Sequence, residues 1–246
     1  MNNNSPKIAL IGYGAMGKAV KAIADKKKII ITDIFDVDSP IKNDKHYDFD
    51  VAIDFSTAEA VVKNVEILSA MHKNIVIGAT GWLSQLPKIK NICEKYKNGI
   101  IYSSNFSVGM QIFSKALSNI IQYINNYDDY DVFLHEIHHN NKIDSPSGTA
   151  NILANVILNN SNIKKKIITE SLNRKIEPEE LHVTSSRGGS VFGTHSVYID
   201  SFSDTIELTH RAKNRDGFAA GAIYAAQWIY NKSGIYNFSE TVLTSK

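Results

Sequence analysis

The chain has 246 residues, 43% of them hydrophobic and 21% charged, with a formal net charge of +2. That composition suits an ordinary globular protein of one large domain or two modest ones; it supplies no clustered basic face for nucleic acid and no apolar run of membrane-spanning length. The single cysteine, Cys93, excludes an internal disulfide framework and, with no signal peptide before the first strand, points to a reducing, cytoplasmic setting.

Lys7 to Ile11 is a short apolar run that meets Gly12-Tyr13-Gly14-Ala15-Met16-Gly17, and a helical pattern with Met16, Ala19, Val20 and Ile23 on one face follows. This is G-x-G-x-x-G in the context it requires, after a strand and opening a helix. The first glycine permits a tight turn, the second lets a pyrophosphate approach, and the third lets helix and strand pack closely. Ile29 to Ile31 begins a second strand. Of the two aspartates near its end, Asp36 is preferred to Asp33 as the ribose ligand, and no Arg follows either to hold a 2′-phosphate. That pattern favours NADH over NADPH.

Val51 to Phe55 reads as a third strand, and Ser56 with Glu59 has capping-box spacing for the helix behind it. Asn74 to Ile77 is a fourth strand, ending in Gly78-Ala79-Thr80-Gly81. A helix through Ile89, Ile92, Cys93 and Tyr96 and a fifth strand from Gly99 to Ser103 follow. Alternation of this kind predicts a Rossmann-like, doubly wound parallel α/β sheet. Ligands of such sheets bind beyond the carboxyl ends of the strands. Gly12 to Gly17, Asp36, Ser56, Gly78 to Thr80, and Ser103, Ser104, Asn105 and Phe106 all lie at those ends.

Ser107 to Asn126 is a long amphipathic helix leading into a second, smaller α+β domain. There Tyr130 to Ile137, Lys165 to Thr169, Leu181 to Ser186, Thr194 to Asp200 and Thr205 to Thr209 read as strands of a mixed sheet, one able to form an oligomer interface. Residues 1–107 with 217–246 are expected to bind the dinucleotide, and residues 108–216 to bind substrate and oligomerise. A small-residue helix from Phe218 to Tyr230 is apolar enough to return to the first domain.

The densest chemistry lies in Glu136, His138, His139, Lys142 and Asp144, read as a loop between a strand and a helix that Ser145 or Ser147 caps. A helix start with Ser147, Gly148 and Thr149 offers backbone N–H groups and hydroxyls to a carboxylate. Histidines and a lysine beside such a seat point to proton transfer on an acidic substrate. His135-Glu136-Ile137-His138-His139 also satisfies H-E-x-x-H, the zinc peptidase pattern. That chemistry needs both ligand histidines one turn apart on a helix, whereas the residues before the motif favour a strand and those after it break a helix. No metal is expected.

Glu136 to Ala150 resembles the signature E-x-H-H-x-x-K-x-D-x-P-S-G-T-A of the 4-hydroxy-tetrahydrodipicolinate reductase family. Gly78-Ala79-Thr80-Gly81 is similar to its G-T-T-G, Ser104-Asn105-Phe106-Ser107 to its A-N-F-S, and Thr209-His210-Arg211-Ala212 to its I-T-H-x-A. Arg187-Gly188-Gly189 with Gly193-Thr194-His195 resembles R-x-G-x-x-x-G-x-H. Ala79 stands where Thr is usual, and Ala15 stands before Met16 where many members carry Arg, again favouring NADH. The resemblance implies a two-domain cytoplasmic enzyme, often a homotetramer, that reduces a cyclic imine dicarboxylate with NADH or NADPH in the diaminopimelate route to lysine. It implies proton donation or charge stabilisation by His138 and Lys142, and carboxylate binding by His139, Ser147, Gly148 and Thr149. Cofactor contacts fall on Gly12 to Gly17, Asp36, Gly78 to Thr80, Ser103 to Phe106, and Arg215. The rival to catalysis is an inactive dinucleotide-sensing module, and the intact histidines, lysine and Ser-Gly-Thr turn speak against it.

Overall fold

A computed structural model of the protein describes residues 5–241. The chain divides into two compact units, Met1–Val108 with Arg215–Lys246, and Gly109–Asn214. The first unit opens with β1 (Ile8–Ile11), α1 (Ala15–Lys26), β2 (Ile31–Phe35), β3 (Val51–Asp54), α2 (Ala58–Ala70), β4 (Asn74–Ile77), α3 (Leu86–Tyr96) and β5 (Gly99–Tyr102). The second unit holds α4 (Val108–Ile124), β6 (Asp131–His138), α5 (Gly148–Asn160), β7 (Lys166–Ile168), β8 (Glu180–Arg187), β9 (Thr194–Asp200) and β10 (Thr205–Arg211). The chain then returns to the first unit with α6 (Asp216–Ile229), β11 (Gly234–Asn237) and α7 (Phe238–Thr241).

The first unit is a six-stranded parallel sheet in the order β11-β5-β4-β3-β1-β2. β1 and β3 are buried at every position because both sheet faces are covered. Alternate side chains divide between them. Ile8, Leu10, Val51 and Ile53 pack with Val20 and Ile23 of α1 and with the alanine-rich α6. Ala9, Ile11, Ala52 and Ile77 face Val61, Val65 and Leu68 of α2 and Ile89, Ile92 and Cys93 of α3. Each fully buried Leu or Ile here contributes roughly 1.5–3 kcal/mol, which makes these helices stable despite modest intrinsic propensity.

Three details depart from the sequence expectations. β2 starts at Ile31, because Lys28 turns left-handed and the Ile29 N–H closes α1 on the Ala24 carbonyl at 2.9 Å. The capping residue of α2 is Thr57, one place after the expected Ser56; Ser56 is held instead by its own N–H donating to Asp54 Oδ1 at 2.8 Å. The edge strand β11 was not foreseen, since Gly234-Ile235-Tyr236-Asn237 has no distinguishing period and gains its order only by pairing with β5.

The second unit is a mixed five-stranded sheet, β10-β9-β6-β8-β7, with β6 parallel to β8 and antiparallel to β9. Val132 and Leu134 of β6, Leu181 and Val183 of β8, and Val197 and Ile199 of β9 point to one face. There Leu117 and Ile121 of α4 and Leu153, Ala154 and Ile157 of α5 cover them. Phe133 and Tyr198, in register on the opposite face, stack with ring centres 4.9 Å apart, and Phe133 remains 40% exposed. Among the described residues, no helix is long and apolar enough to cross a membrane.

Candidate active site

In the first unit, the glycine loop is shaped by what a side chain would strike. A Cβ on Gly12, whose φ is +83°, would lie 2.7 Å from the Phe55 carbonyl oxygen, and one on Gly17 would lie 2.2 Å from that of Gly12. The same Cβ on Gly14 meets nothing within 4 Å. Gly12 and Gly17 therefore let β1, β3 and α1 close together, while Gly14 leaves the start of α1 open to a ligand. An open helix N-terminus behind a glycine turn fits a pyrophosphate.

Two cavities meet at Gly14. One is lined by Ala15, Met16, Gly78, Ala79, Thr80, Ser104, Asn105 and Phe106. The other is lined by Gly12, Phe35, Asp36, Ser56, Lys63 and Asn64 among others. Most of the expected cofactor residues are thus brought together, Asp36 among them, while Asp33 lines neither cavity. Four others lie outside both linings. Gly17 packs, Tyr13 rests on the hydrophobic core, Ser103 forms a turn by accepting from the Asn105 N–H at 3.1 Å, and Arg215 occupies the position before α6. The lysine that shares this lining with Asp36 is Lys63 of α2, and neither Lys42 nor Lys45 lines that cavity. Periodicity gave no sign that α2 would present Lys63 and Asn64 there.

In the second unit, strand pairing corrects one expectation. β6 runs on through His138, one residue past the expected end at Ile137, because β8 and β9 flank it as far as Arg187 and Thr194, so that His138 joins Glu136 on the strand. Beyond Leu134 the inward face of β6 turns from apolar to ionisable. Glu136 is fully buried and His138 is 7% exposed. A Glu136 carboxylate oxygen pairs with His138 Nδ1. The other accepts from Arg187 at 2.7 Å and from the Ser147 N–H at 3.3 Å. Arg187 also donates to the Asp144 carbonyl at 2.6 Å. With Nδ1 occupied, Nε2 is the free end of His138, and it faces Gly193, where a Cβ would stand 2.8 Å away.

These contacts set the charges. Burial pushes the Glu136 carboxyl up, but the Arg187 guanidinium and the His138 ring outweigh it, so it stays below the usual range and is ionised. Burial pushes His138 down, and Glu136 restores only part of the shift. Burial, with His138 nearby, lowers His195 to about 4. Its ring centre lies 5.2 Å from that of His138, and its Nε2 is 3.2 Å from the Ser147 hydroxyl. Lys142 pairs with Asp144 at 2.7 Å, and that hydrogen bond holds the Asp144 carboxyl low.

Ser147 caps α5, accepting from the Ala150 N–H at 3.1 Å. At 2% exposure its hydroxyl is committed to that cap and to His195. Gly148 stays exposed at the helix start, with nothing within 4 Å of its missing side chain. His139 is anchored through its N–H to the Val191 carbonyl at 2.8 Å. No local pattern assigns a role to Arg187 or His195, although both sit in the Arg-Gly-Gly…Gly-Thr-His stretch that carries part of the resemblance.

The H-E-x-x-H reading does not survive this geometry. His135 points to the opposite face of the strand from Glu136 and bonds Thr184 Oγ1 at 2.7 Å. Glu136, His138 and His195 do bring possible ligand atoms within 4.8 Å of one another. Glu136 is already shared between His138 and Arg187, so a cation there would have to displace a guanidinium; the group is a hydrogen-bond network.

A Rossmann-like sheet with an open glycine loop, joined in one chain to a unit bearing a buried Glu–His pair, defines a pyridine-nucleotide oxidoreductase. Comparison with known proteins gives the family. Residues 6–106 match the family description "Dihydrodipicolinate reductase, N-terminus", and residues 109–242 match "Dihydrodipicolinate reductase, C-terminus". The chain is 39% identical over 238 residues to a 4-hydroxy-tetrahydrodipicolinate reductase of Christiangramia forsetii, covering 96% of this chain and 97% of the relative. It is 35% identical to the Staphylococcus aureus protein of that name, covering 94% and 98% of the two chains. A dipicolinate-bound dihydrodipicolinate reductase from Paenisporosarcina shares the fold, with a TM-score of 0.76 at 20% identity over 96% of this chain and 99% of its own. The protein belongs to the dihydrodipicolinate reductase family.

Proposed function

We propose that the protein reduces 4-hydroxy-tetrahydrodipicolinate to tetrahydrodipicolinate with loss of water, the reaction of its family in the diaminopimelate route to lysine, and that it prefers NADH. The observation that carries this reading is the buried Glu136–His138 pair, which leaves one imidazole nitrogen free. A bound nicotinamide supplies the hydride. The 4-hydroxyl leaves as water with a proton from the neighbouring carbon, which makes the ring conjugated, and the electron density left there after hydride addition needs a proton at that neighbouring carbon. His138 first takes a proton from solvent at Nε2, giving an imidazolium that the Glu136 carboxylate stabilises at Nδ1, and then delivers that proton to the carbon and returns to the neutral ring. Lys142 supplies positive charge against the developing anion. His139, Gly148 and Thr149 hold the substrate carboxylates, with Ser147 orienting the helix start through its cap. Gly12, Gly14, Ala15, Met16, Asp36, Gly78, Ala79, Thr80, Ser104, Asn105 and Phe106 receive the dinucleotide, and Gly17, Tyr13, Ser103 and Arg215 shape its surroundings.

Asp36 supports the NADH preference, since a carboxylate accepts from a ribose 2′-OH and repels a 2′-phosphate. A homotetramer built through the sheet face of Phe133 and Tyr198 accounts for an aromatic stack left partly exposed; Tyr198→Glu should lower the mass measured by light scattering. The activity itself is tested by the fall in NADH absorbance when the condensation product of pyruvate and aspartate semialdehyde is added. No consumption by the wild-type protein would overturn the reading.

A further inference from the structure

The cavity at Asp36 is also lined by the apolar side chains of Val37 and Ile41 and of Ala60 and Ile67 of α2. Two polar side chains of α2 line it as well, Lys63 and Asn64, and Asn64 is the one held in place by buried partners. Its amide nitrogen donates to Asp54 Oδ2 at 3.0 Å and to Ser56 Oγ at 3.1 Å, which uses both of its hydrogens. Asp54 is fully buried at the end of β3, and its other oxygen accepts from the Ser56 N–H at 2.8 Å. Burial pushes the Asp54 carboxyl up while the Ser56 and Asn64 donors oppose it, and the two bonds from the Asn64 nitrogen turn that end of the amide to Asp54 and Ser56. What remains for a ligand is Oδ1, an acceptor.

We propose that Asn64, oriented by the buried Asp54, selects adenine at the far end of the dinucleotide by offering an acceptor to its exocyclic amine. Adenine carries a donor at that position, whereas hypoxanthine carries a carbonyl oxygen, which would meet Oδ1 lone pair to lone pair. Ser56 and Asp54 are positioning residues, since neither needs to touch the base. The inference rests on the dinucleotide reading of this unit and adds a determinant that the glycine fingerprint does not contain.

The test compares NADH with its hypoxanthine analogue, deamino-NADH, by fluorescence titration of the whole protein. Wild type should bind NADH about tenfold more tightly, the effect of one partly exposed hydrogen bond. Asn64→Ala should bring the ratio near one, chiefly by weakening NADH. Asn64→Ser, which keeps a donor for Asp54 but does not reach the cavity, should do the same if the alanine variant folds poorly. Equal wild-type affinities, or a ratio that survives both substitutions, would overturn the role of Asn64 and leave the dinucleotide site intact. Failure of wild type to bind either nucleotide would overturn the dinucleotide reading together with it.

Discussion

The two units equip their sites by opposite means. In the first, the ligand seat is backbone: Gly12 and Gly17 permit close approach, Gly14 leaves space, and the charged groups sit at the margin. In the second, the seat is made of side chains pulled out of water, with Glu136, His138 and His195 on the inward face of a sheet whose other end is Val132 and Leu134. A backbone seat tolerates change in the residues around it but not in its glycines. A buried ionisable network is the reverse, because each member is satisfied only by another, and its protonation is tied to the stability of the fold.

The largest test of that contrast is pH. Folded His195 takes a proton only near pH 4, while the unfolded imidazole takes one near 6.5. Between those values the unfolded chain binds more protons, so stability falls as pH drops through the window, by about 3 kcal/mol at its lower end. Burial lowers His138 and His210 too, and both add in the same direction. Urea midpoints at pH 7 and pH 4.5 should show a smaller loss for His195→Gln than for wild type; identical losses would mean that His195 is not held neutral.

Next in size is catalysis. His138→Gln and Lys142→Ala should each lower kcat by about 10²-fold, roughly 2.7 kcal/mol, with NADH affinity unchanged. A parallel loss of NADH affinity would mean that the two seats are not separable. Thr149→Val should raise KM for the imine by about tenfold and leave KM for NADH alone, one hydrogen bond to a charged group being worth ~1.5–3 kcal/mol. The smallest effect is at the margin of the backbone seat. Asp36→Ala should erode an NADH preference of about tenfold in kcat/KM by a few-fold, weakening NADH and sparing NADPH. An unchanged ratio would shift attention to Lys63, which lines the same cavity.

The sequence alone determined the parts of this protein that depend on local rules. Strand–glycine–helix order announced the dinucleotide seat, apolar periodicity located nearly every strand and helix, and a serine cap of α5 was legible as Ser145 or Ser147 because capping needs only neighbours, with the structure choosing Ser147. The family was legible too, since Glu136 to Ala150 is a contiguous signature. What the tertiary structure decided is everything that needs a partner far along the chain. His138 became a strand residue beside Glu136 only because β8 and β9 pair with β6 from both sides, at register partners 49 to 69 positions farther along the chain. Arg187 and His195 entered the site through that same pairing, and Asn64 and Lys63 through the packing of α2 beside β3. Local patterns fix what a segment becomes; register between distant strands, set by burying one face of each, fixes which ionisable groups meet and therefore which of them holds a proton.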